Sequence, residues 1–260
     1  MDSLQVTILG SGTSHGVPMI ACDCPVCTSS DPRDKRTRSS IVVSLGGHSV
    51  LVDTTPELRL QCLACDIRHI DTVLYTHAHA DHVTGLDDLR RFNHLLGAAL
   101  RCYGNAPTLD TIERMFPYAF HHDPSYPSAK PQLELALADG PFEVGGMQIV
   151  PIPLYHGPLP ILGYRFGNFA YCTDCNRIPD ESMALLKGLD VLVLDALRHR
   201  PHPTHFNLEQ AVDAARRIGA QQTYFTHIAH ELGHEATNAT LPPGMALAYD
   251  GQRIELNSLR

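Results

Sequence analysis

The chain has 260 residues, 43% of them hydrophobic, enough for a sizeable core and far too apolar for a disordered protein. Its formal net charge of −8 argues against a nucleic-acid partner, which calls for a basic face, and no run approaches the roughly 18 apolar residues of a membrane span. Met1-Asp2-Ser3 leads straight into a strand-like run with no apolar leader, so the expected location is the cytoplasm, where cysteines stay reduced and close spacing points to metal rather than disulfides.

In chain order, Leu4–Leu9 reads as a strand, and Ile41–Leu45 and Val50–Asp53 as two more joined by a Gly46-Gly47 turn. A helix from near Pro56 through Cys65 and a short buried strand at Thr72–Tyr75 come next. Leu86–Leu95 reads as a helix, Leu100–Tyr103 as a strand, Leu109–Phe120 as a helix and His121–Pro131 as a surface loop. Strands resume at Leu133–Leu137, Met147–Pro153, Ile161–Phe166 and Phe169–Cys172, followed by a helix at Glu181–Lys187 and an apolar strand at Val191–Asp195. Asn207 and Gln210 form a capping box, with Leu208, Ala211, Val212, Ala215 and Ile218 on one helix face and Gly219 at the end. Tyr224–Thr226 is a strand, and Ala246–Leu256 is expected to close the fold as a hairpin through Asp250-Gly251. The pattern predicts one domain, residues 1–260, of two sheets packed face to face with helices outside.

Chemistry concentrates in Thr76-His77-Ala78-His79-Ala80-Asp81-His82, directly after an apolar strand. Alternate residues leaving a strand point the same way, so His77 and His79 can grip one ion while a turn brings Asp81 and His82 to a second. Imidazole and carboxylate suit zinc, manganese or iron. Further ligands must come from elsewhere, and three strand ends offer them: His156, Asp174 and His227. A carboxylate such as Asp174 can bridge two cations.

This set resembles the metallo-β-lactamase superfamily, which carries H-x-H-x-D-H followed by His, Asp and His in that order. The resemblance implies an α/β fold of the αββα kind, two mixed β-sheets with helices on the outer faces and the site at one edge. It implies that His77, His79 and His156 hold one divalent ion, zinc or manganese, and Asp81, His82 and His227 the other, with Asp174 between them. Asp53 matches the family's acidic residue that supports the His loop, although the Gly that usually follows is replaced in Asp53-Thr54-Thr55-Pro56.

Cys22, Cys24 and Cys27, at C-x-C-x2-C spacing, make three quarters of a tetrahedral zinc site. The stretch Gly10-Ser11-Gly12-Thr13-Ser14-His15-Gly16-Val17-Pro18 before them resembles a narrower branch, the phosphodiesterases that include the ribosyl cyclic-phosphate enzymes of phosphonate degradation. That branch implies one structural zinc, with His230 as the fourth ligand, and the likeness continues through Leu241-Pro242-Pro243-Gly244 and Tyr249-Asp250-Gly251. Cys62, Cys65, Cys172 and Cys175 read as packing thiols. In Arg198–His205, His199 and His202 read as surface loop residues, and Arg198 and Arg200 could draw in anions. The branch, like the tRNA 3′-processing endonucleases, places a functional His just before the capped helix, so His205 is expected to bind phosphate and protonate the leaving group.

The expectation is therefore a metal-dependent hydrolase, a phosphodiesterase acting on a small, cyclic or open, phosphate ester, with Asp81 and His205 as catalytic residues. A ribonuclease Z-like endonuclease is the first alternative, opposed by the charge and by the lack of a basic arm in the sequence. A cofactor-biosynthesis relative of the pyrroloquinoline quinone kind, which shares the Cys-rich entry and Thr37-Arg38-Ser39-Ser40, is a second, and thioester or lactam hydrolysis a third. A homodimer is implied by the resemblance alone.

Overall fold

The computed structural model describes residues 3–120 and 129–256. Its strands are β1 (Leu4–Gly10), β2 (Ser40–Leu45), β3 (His48–Val52), β4 (Thr72–Leu74), β5 (Leu100–Gly104), β6 (Leu133–Leu137) and β7 (Phe142–Val144). The chain continues with β8 (Met147–His156), β9 (Leu159–Phe166), β10 (Phe169–Cys172), β11 (Val191–Asp195), β12 (Gln222–Thr226), β13 (Met245–Leu247) and β14 (Arg253–Leu256). They form two sheets of seven strands, ordered β14-β1-β2-β3-β4-β5-β6 and β13-β12-β11-β10-β9-β8-β7.

Alternation along the strands explains the layering. Val191 and Val193 of β11 face the interior between the sheets, together with Val50 and Val52 of β3. Leu192 and Leu194 face the opposite way, under Leu208, Ala211, Ala215 and Ile218 of the helix Leu208–Ile218. Leu51 of β3 likewise faces outward, in a cluster with Leu58 and Cys62 of the helix Leu58–Cys65. Period-2 burial on both faces of a strand requires cover on both sides, and helices supply it. The result is the αββα sandwich.

Local sequence sets the helix limits. Asn207 accepts from Gln210 N at 2.9 Å, the Gln210 side chain accepts from Asn207 N at 3.0 Å, and Gly219 ends the helix at φ 77°. The expected helix at Leu109–Phe120 instead starts at Ala106, because Asn105 caps it and Pro107 fits its first turn; it stops at Met115, and Pro117–Phe120 forms a separate turn. Leu86–Leu95 divides into a 3-10 turn, Leu86–Leu89, and a helix, Arg90–Leu96. Of the loop expected at His121–Pro131, residues 121–128 lie outside the described residues, and 129–131 carry no regular structure.

One expectation is corrected. Ala246–Leu256 is no hairpin: β13 pairs with β12 in one sheet, while β14 pairs with β1 in the other. Asp250 is the reason. Its Oδ1 accepts from Ser11 N at 2.9 Å and Oγ at 2.8 Å, and its Oδ2 from Thr37 N and Oγ1, both at 2.7 Å, which carries the chain across to the first sheet. The elements without a sequence reading include β7, the 3-10 turn Pro32–Asp34 and the short helix His234–Asn238.

Neighbouring strands β3 and β4 run parallel, as do β10, β11 and β12. Their carboxyl ends therefore share one edge of the sandwich, and Asp53, the His loop, Asp174, Asp195 and His227 all sit at those ends.

Candidate metal centre

Asp53 ties the His loop down at both ends. Thr76 donates to it from N and from Oγ1, each at 2.8 Å, and His82 Nδ1 donates to its Oδ2 at 2.7 Å. The short helix Ala80–Val83 turns Asp81 and His82 inward. Close docking here depends on Gly85, where any Cβ would collide with the carbonyl of Thr55. Asp53, Asp174 and His227 all have left-handed backbones, φ 65°, 59° and 59°. Such a conformation costs an L-residue energy and gathers at functional positions, where the surroundings hold it in place.

Two overlapping donor sets result, His77, His79, His156 and Asp174, and Asp81, His82, Asp174 and His227, each with its donor atoms within 4.8 Å of one another. Asp174 belongs to both. Its Oδ2 stands 3.1 Å from His82 Nε2, 3.2 Å from His227 Nε2 and 3.6 Å from His77 Nε2. Asp81 Oδ2 lies 3.3 Å from His82 Nε2 and 3.6 Å from His227 Nε2. Nitrogen and oxygen ligands on one tetrahedral ion are roughly 3.4 Å apart, so the spacing is that of donors around a cation.

Three further observations fit metal ions to these residues. His77 Nε2 and His227 Nε2 are buried without a hydrogen-bond partner, which is costly unless something else binds them. The outer nitrogens are held by protein: His77 Nδ1 lies 3.0 Å from Thr76 Oγ1, His82 Nδ1 bonds Asp53, and His156 Nδ1 donates to Thr204 O at 2.8 Å. This leaves Nε2 of each ring facing the centre, the arrangement in which a second partner fixes the tautomer of a ligand. Finally, Asp53, Asp174 and Asp195 are fully buried, and buried carboxylates need balancing charge.

The titration behaviour points the same way. Burial holds the pKa of His77 well below its ordinary value and brings His156 down to about 4, keeping both neutral and able to ligate. Burial also opposes the His82 imidazolium and the Asp174 carboxylate, yet Asp174, Asp81 and Asp53 hold His82 well above its usual range, and His227 and His82 hold Asp174 well below its own. The pocket is built for positive charge.

Asp195, at the end of β11, escaped the sequence reading. Its Oδ2 accepts from His205 Nδ1 at 2.9 Å, which steadies that ring, and its Oδ1 lies 3.9 Å from His227 Nδ1 without bonding it. The signal existed: an acidic residue closes a run of four buried apolar ones, as Asp53 does after β3. The His205 ring stacks on His227 with centroids 4.6 Å apart and meets His156 edge-on at 4.5 Å. His202 is 5.0 Å from His205, ring to ring, and lines the adjoining cavity, as do Arg198 and Arg200, whereas His199 is exposed.

Cys22, Cys24, Cys27 and His230 form a third group. His230 Nδ1 stands 3.2, 3.3 and 3.7 Å from the three Sγ atoms. A tetrahedral zinc with sulfur and nitrogen ligands spaces them roughly 3.6 Å apart, so this group also fits a metal. The backbone N–H of Cys27 draws the Cys24 thiol down to about 6, while burial pushes Cys27 up to about 11. Cys62, Cys65, Cys172 and Cys175 are buried and unpaired by disulfides. Among the described residues no helix is long and apolar enough to cross a membrane.

Fold and donor set together are those of a metal-dependent hydrolase. The family model for the beta-lactamase superfamily domain matches residues 48–228. A solved diphosphatase from the PhnP family is 47% identical with a TM-score of 0.91, over 98% of this chain and 97% of that one. The octanoyltransferase of Porphyromonas gingivalis is 40% identical over 95% of this chain, which spans about half (51%) of that protein. Coenzyme PQQ synthesis protein B of a Methylobacterium species is 31% identical over 74% of this chain and 72% of that protein. The chain belongs to the beta-lactamase superfamily, in its PhnP family.

Proposed function

We propose that the chain is a dinuclear metal-dependent phosphodiesterase that hydrolyses a small phosphate ester, cyclic or open, with His205 as general acid. The observation that carries this reading is the sharing of Asp174 between two donor sets, with His205, bonded to Asp195, beside them and lining a cavity of about 290 Å³. His77, His79 and His156 would hold one ion and Asp81, His82 and His227 the other, zinc or manganese in each case. Two divalent ions so held would lower the pKa of a water between them toward roughly 7 and offset charge on the phosphoryl oxygens.

The protein's own groups supply the rest. An alkoxide leaves poorly without a proton. Asp195 accepts from His205 Nδ1, which leaves Nε2 as the atom that can hold a proton for the departing oxygen. Asp53 and the Thr204 carbonyl keep His82 and His156 from rotating. The cavity suits a leaving group of about sugar or nucleoside size rather than a folded polymer.

Metal analysis with a substrate panel tests the proposal: cyclic ribosyl phosphates, 2′,3′- and 3′,5′-cyclic nucleotides, an aryl phosphodiester, a thioester and precursor tRNA. The expected result is two active-site ions per chain and turnover of the small diesters. Turnover of the thioester or of precursor tRNA alone would overturn it.

A further inference from the structure

The cavity beside His205 has an unusual second wall. One side is the segment from Leu197 to His205. The other is made by Thr13–Gly16 and Met19, from the loop leading into the cysteine trio, and by Ala229–Glu231, the segment that carries the fourth member of that group. Resting on the phosphodiesterase reading above, we propose that the Cys22/Cys24/Cys27/His230 group is a specificity element, whose bound metal positions Met19 and Glu231 as the wall that grips the substrate's leaving group.

Connectivity carries the argument. Between Val17 and the 3-10 turn Pro32–Asp34 the chain has neither helix nor strand, so no sheet or helix sets its path. Met19 N donates to Cys27 Sγ at 3.3 Å, Cys22 N to Met19 O at 3.2 Å and Cys27 N to Cys24 Sγ at 3.4 Å. Met19 is thus fastened to the Cys27 sulfur itself and to the backbone of Cys22. On the other strand of the clamp, His227 of the metal pair and His230 of the thiolate group are three residues apart. Between them, Thr13 N donates to Ile228 O at 3.2 Å and Ala229 N to Leu197 O at 2.9 Å, which joins both cavity walls to this short segment. Glu231, the next residue, closes the circuit: its Oε1 accepts from Arg200 Nη2 at 2.6 Å, across the cavity from one wall to the other.

A metal that held four donors for fold stability alone would not need its ligand loop to line the substrate cavity. Here, loosening the group frees Met19 from one side and His230–Glu231 from the other, while His77, His82 and His156 keep the hydrogen bonds on their outer nitrogens. The consequence is a loss of substrate binding ahead of any loss of chemistry.

The test uses the fully metallated protein and its Cys24→Ser variant. Metal content should fall by one ion per chain, amide exchange should quicken in 13–16 and 230–231, and KM for a 2′,3′-cyclic nucleotide should rise about tenfold with kcat within about twofold. The rise should be smaller for an aryl phosphodiester with a compact leaving group. Because Cys24→Ser can misfold, Met19→Ala and Glu231→Gln are measured beside it. Both keep all ligands and should retain full metal content with the same rise in KM, and Met19→Leu should restore it. An unchanged KM in Met19→Ala and Glu231→Gln, or a fall in kcat that tracks loss of the active-site ions in Cys24→Ser, overturns the proposal. Should the unaltered protein cleave no diester, the phosphodiesterase reading fails instead. The specificity element is then judged by calorimetric binding of the ring-opened nucleotide to the same variants, with weaker binding expected and equal affinity fatal to it.

Discussion

Replacing Asp53 by Asn changes almost no volume but reverses one hydrogen bond. The wild-type carboxylate accepts from Thr76 N, Thr76 Oγ1 and His82 Nδ1. An amide can keep its oxygen on Thr76 N but must present NH₂ to His82. His82 Nδ1 then has to accept, its proton moves to Nε2, and Nε2 is the atom that faces Asp174 and Asp81. A protonated Nε2 cannot ligate. Loss of such an orienting partner typically weakens metal binding by about 10–100-fold, about 1.4–2.7 kcal/mol, and here it should fall on one ion of the pair. Fold stability should drop by about 1–3 kcal/mol, because charge-assisted hydrogen bonds become neutral ones at a fully buried site. Calorimetric zinc titration of the metal-free protein, with ¹⁵N shifts of the His82 ring, reads both effects. Two ions bound with wild-type affinity and an unmoved Nδ1 proton would refute the orienting role of Asp53.

Asp195→Asn removes the carboxylate behind His205 and should lower kcat about 10–100-fold for alkyl leaving groups but only slightly for an aryl one, which departs without a proton; equal losses for both would count against the general-acid assignment. Arg36→Met should destabilise the fold by about 3–5 kcal/mol in a denaturant titration, because Arg36 is wholly buried and its loss removes the guanidinium 3.0 Å from buried Asp34, which keeps only the His234 N–H; a change under 1 kcal/mol would contradict this. Gly85→Ala should cost about 1–3 kcal/mol, since the new methyl drives the His loop away from Thr55, and a Tm within a degree of wild type would show that the loop has slack. Asn207→Ala should cost about 1 kcal/mol while leaving metal content unchanged, as the cap it removes bonds the helix backbone and none of the His/Asp donors.

The αββα layering was legible because strands covered on both faces, such as Val191–Asp195, read as unbroken apolar runs, while Leu208–Ile218 carries a helical stripe with caps at both ends. The meeting of the seven His and Asp residues was legible too, since each follows an apolar strand; the structure brings all seven to one edge. What escaped has physical causes. Asp195 closes an apolar run much as Asp53 does, but His205, the ring it holds, reaches it only in three dimensions. The crossing at Asp250 cannot be told from a hairpin by local sequence, because Asp-Gly favours both. Its side chain reaches Ser11 and Thr37, over two hundred residues away, and no periodicity records such a bond. His202 looked like loop surface for a similar reason, as the wall opposite it comes from Thr13–Gly16.

That crossing also bears on how the molecule comes together during synthesis. The strand that borders β1 and the carboxylate that clasps Ser11 and Thr37 are both among the last described residues to leave a ribosome. Until they emerge, the first sheet has an open edge at β1, and the segment that contains the cysteine trio lacks the Asp250 bonds to Ser11 and Thr37. A nascent chain can therefore pair most strands of both sheets early, yet the segment carrying the cysteine trio gains its last fastening, at Asp250, only with the final dozen described residues.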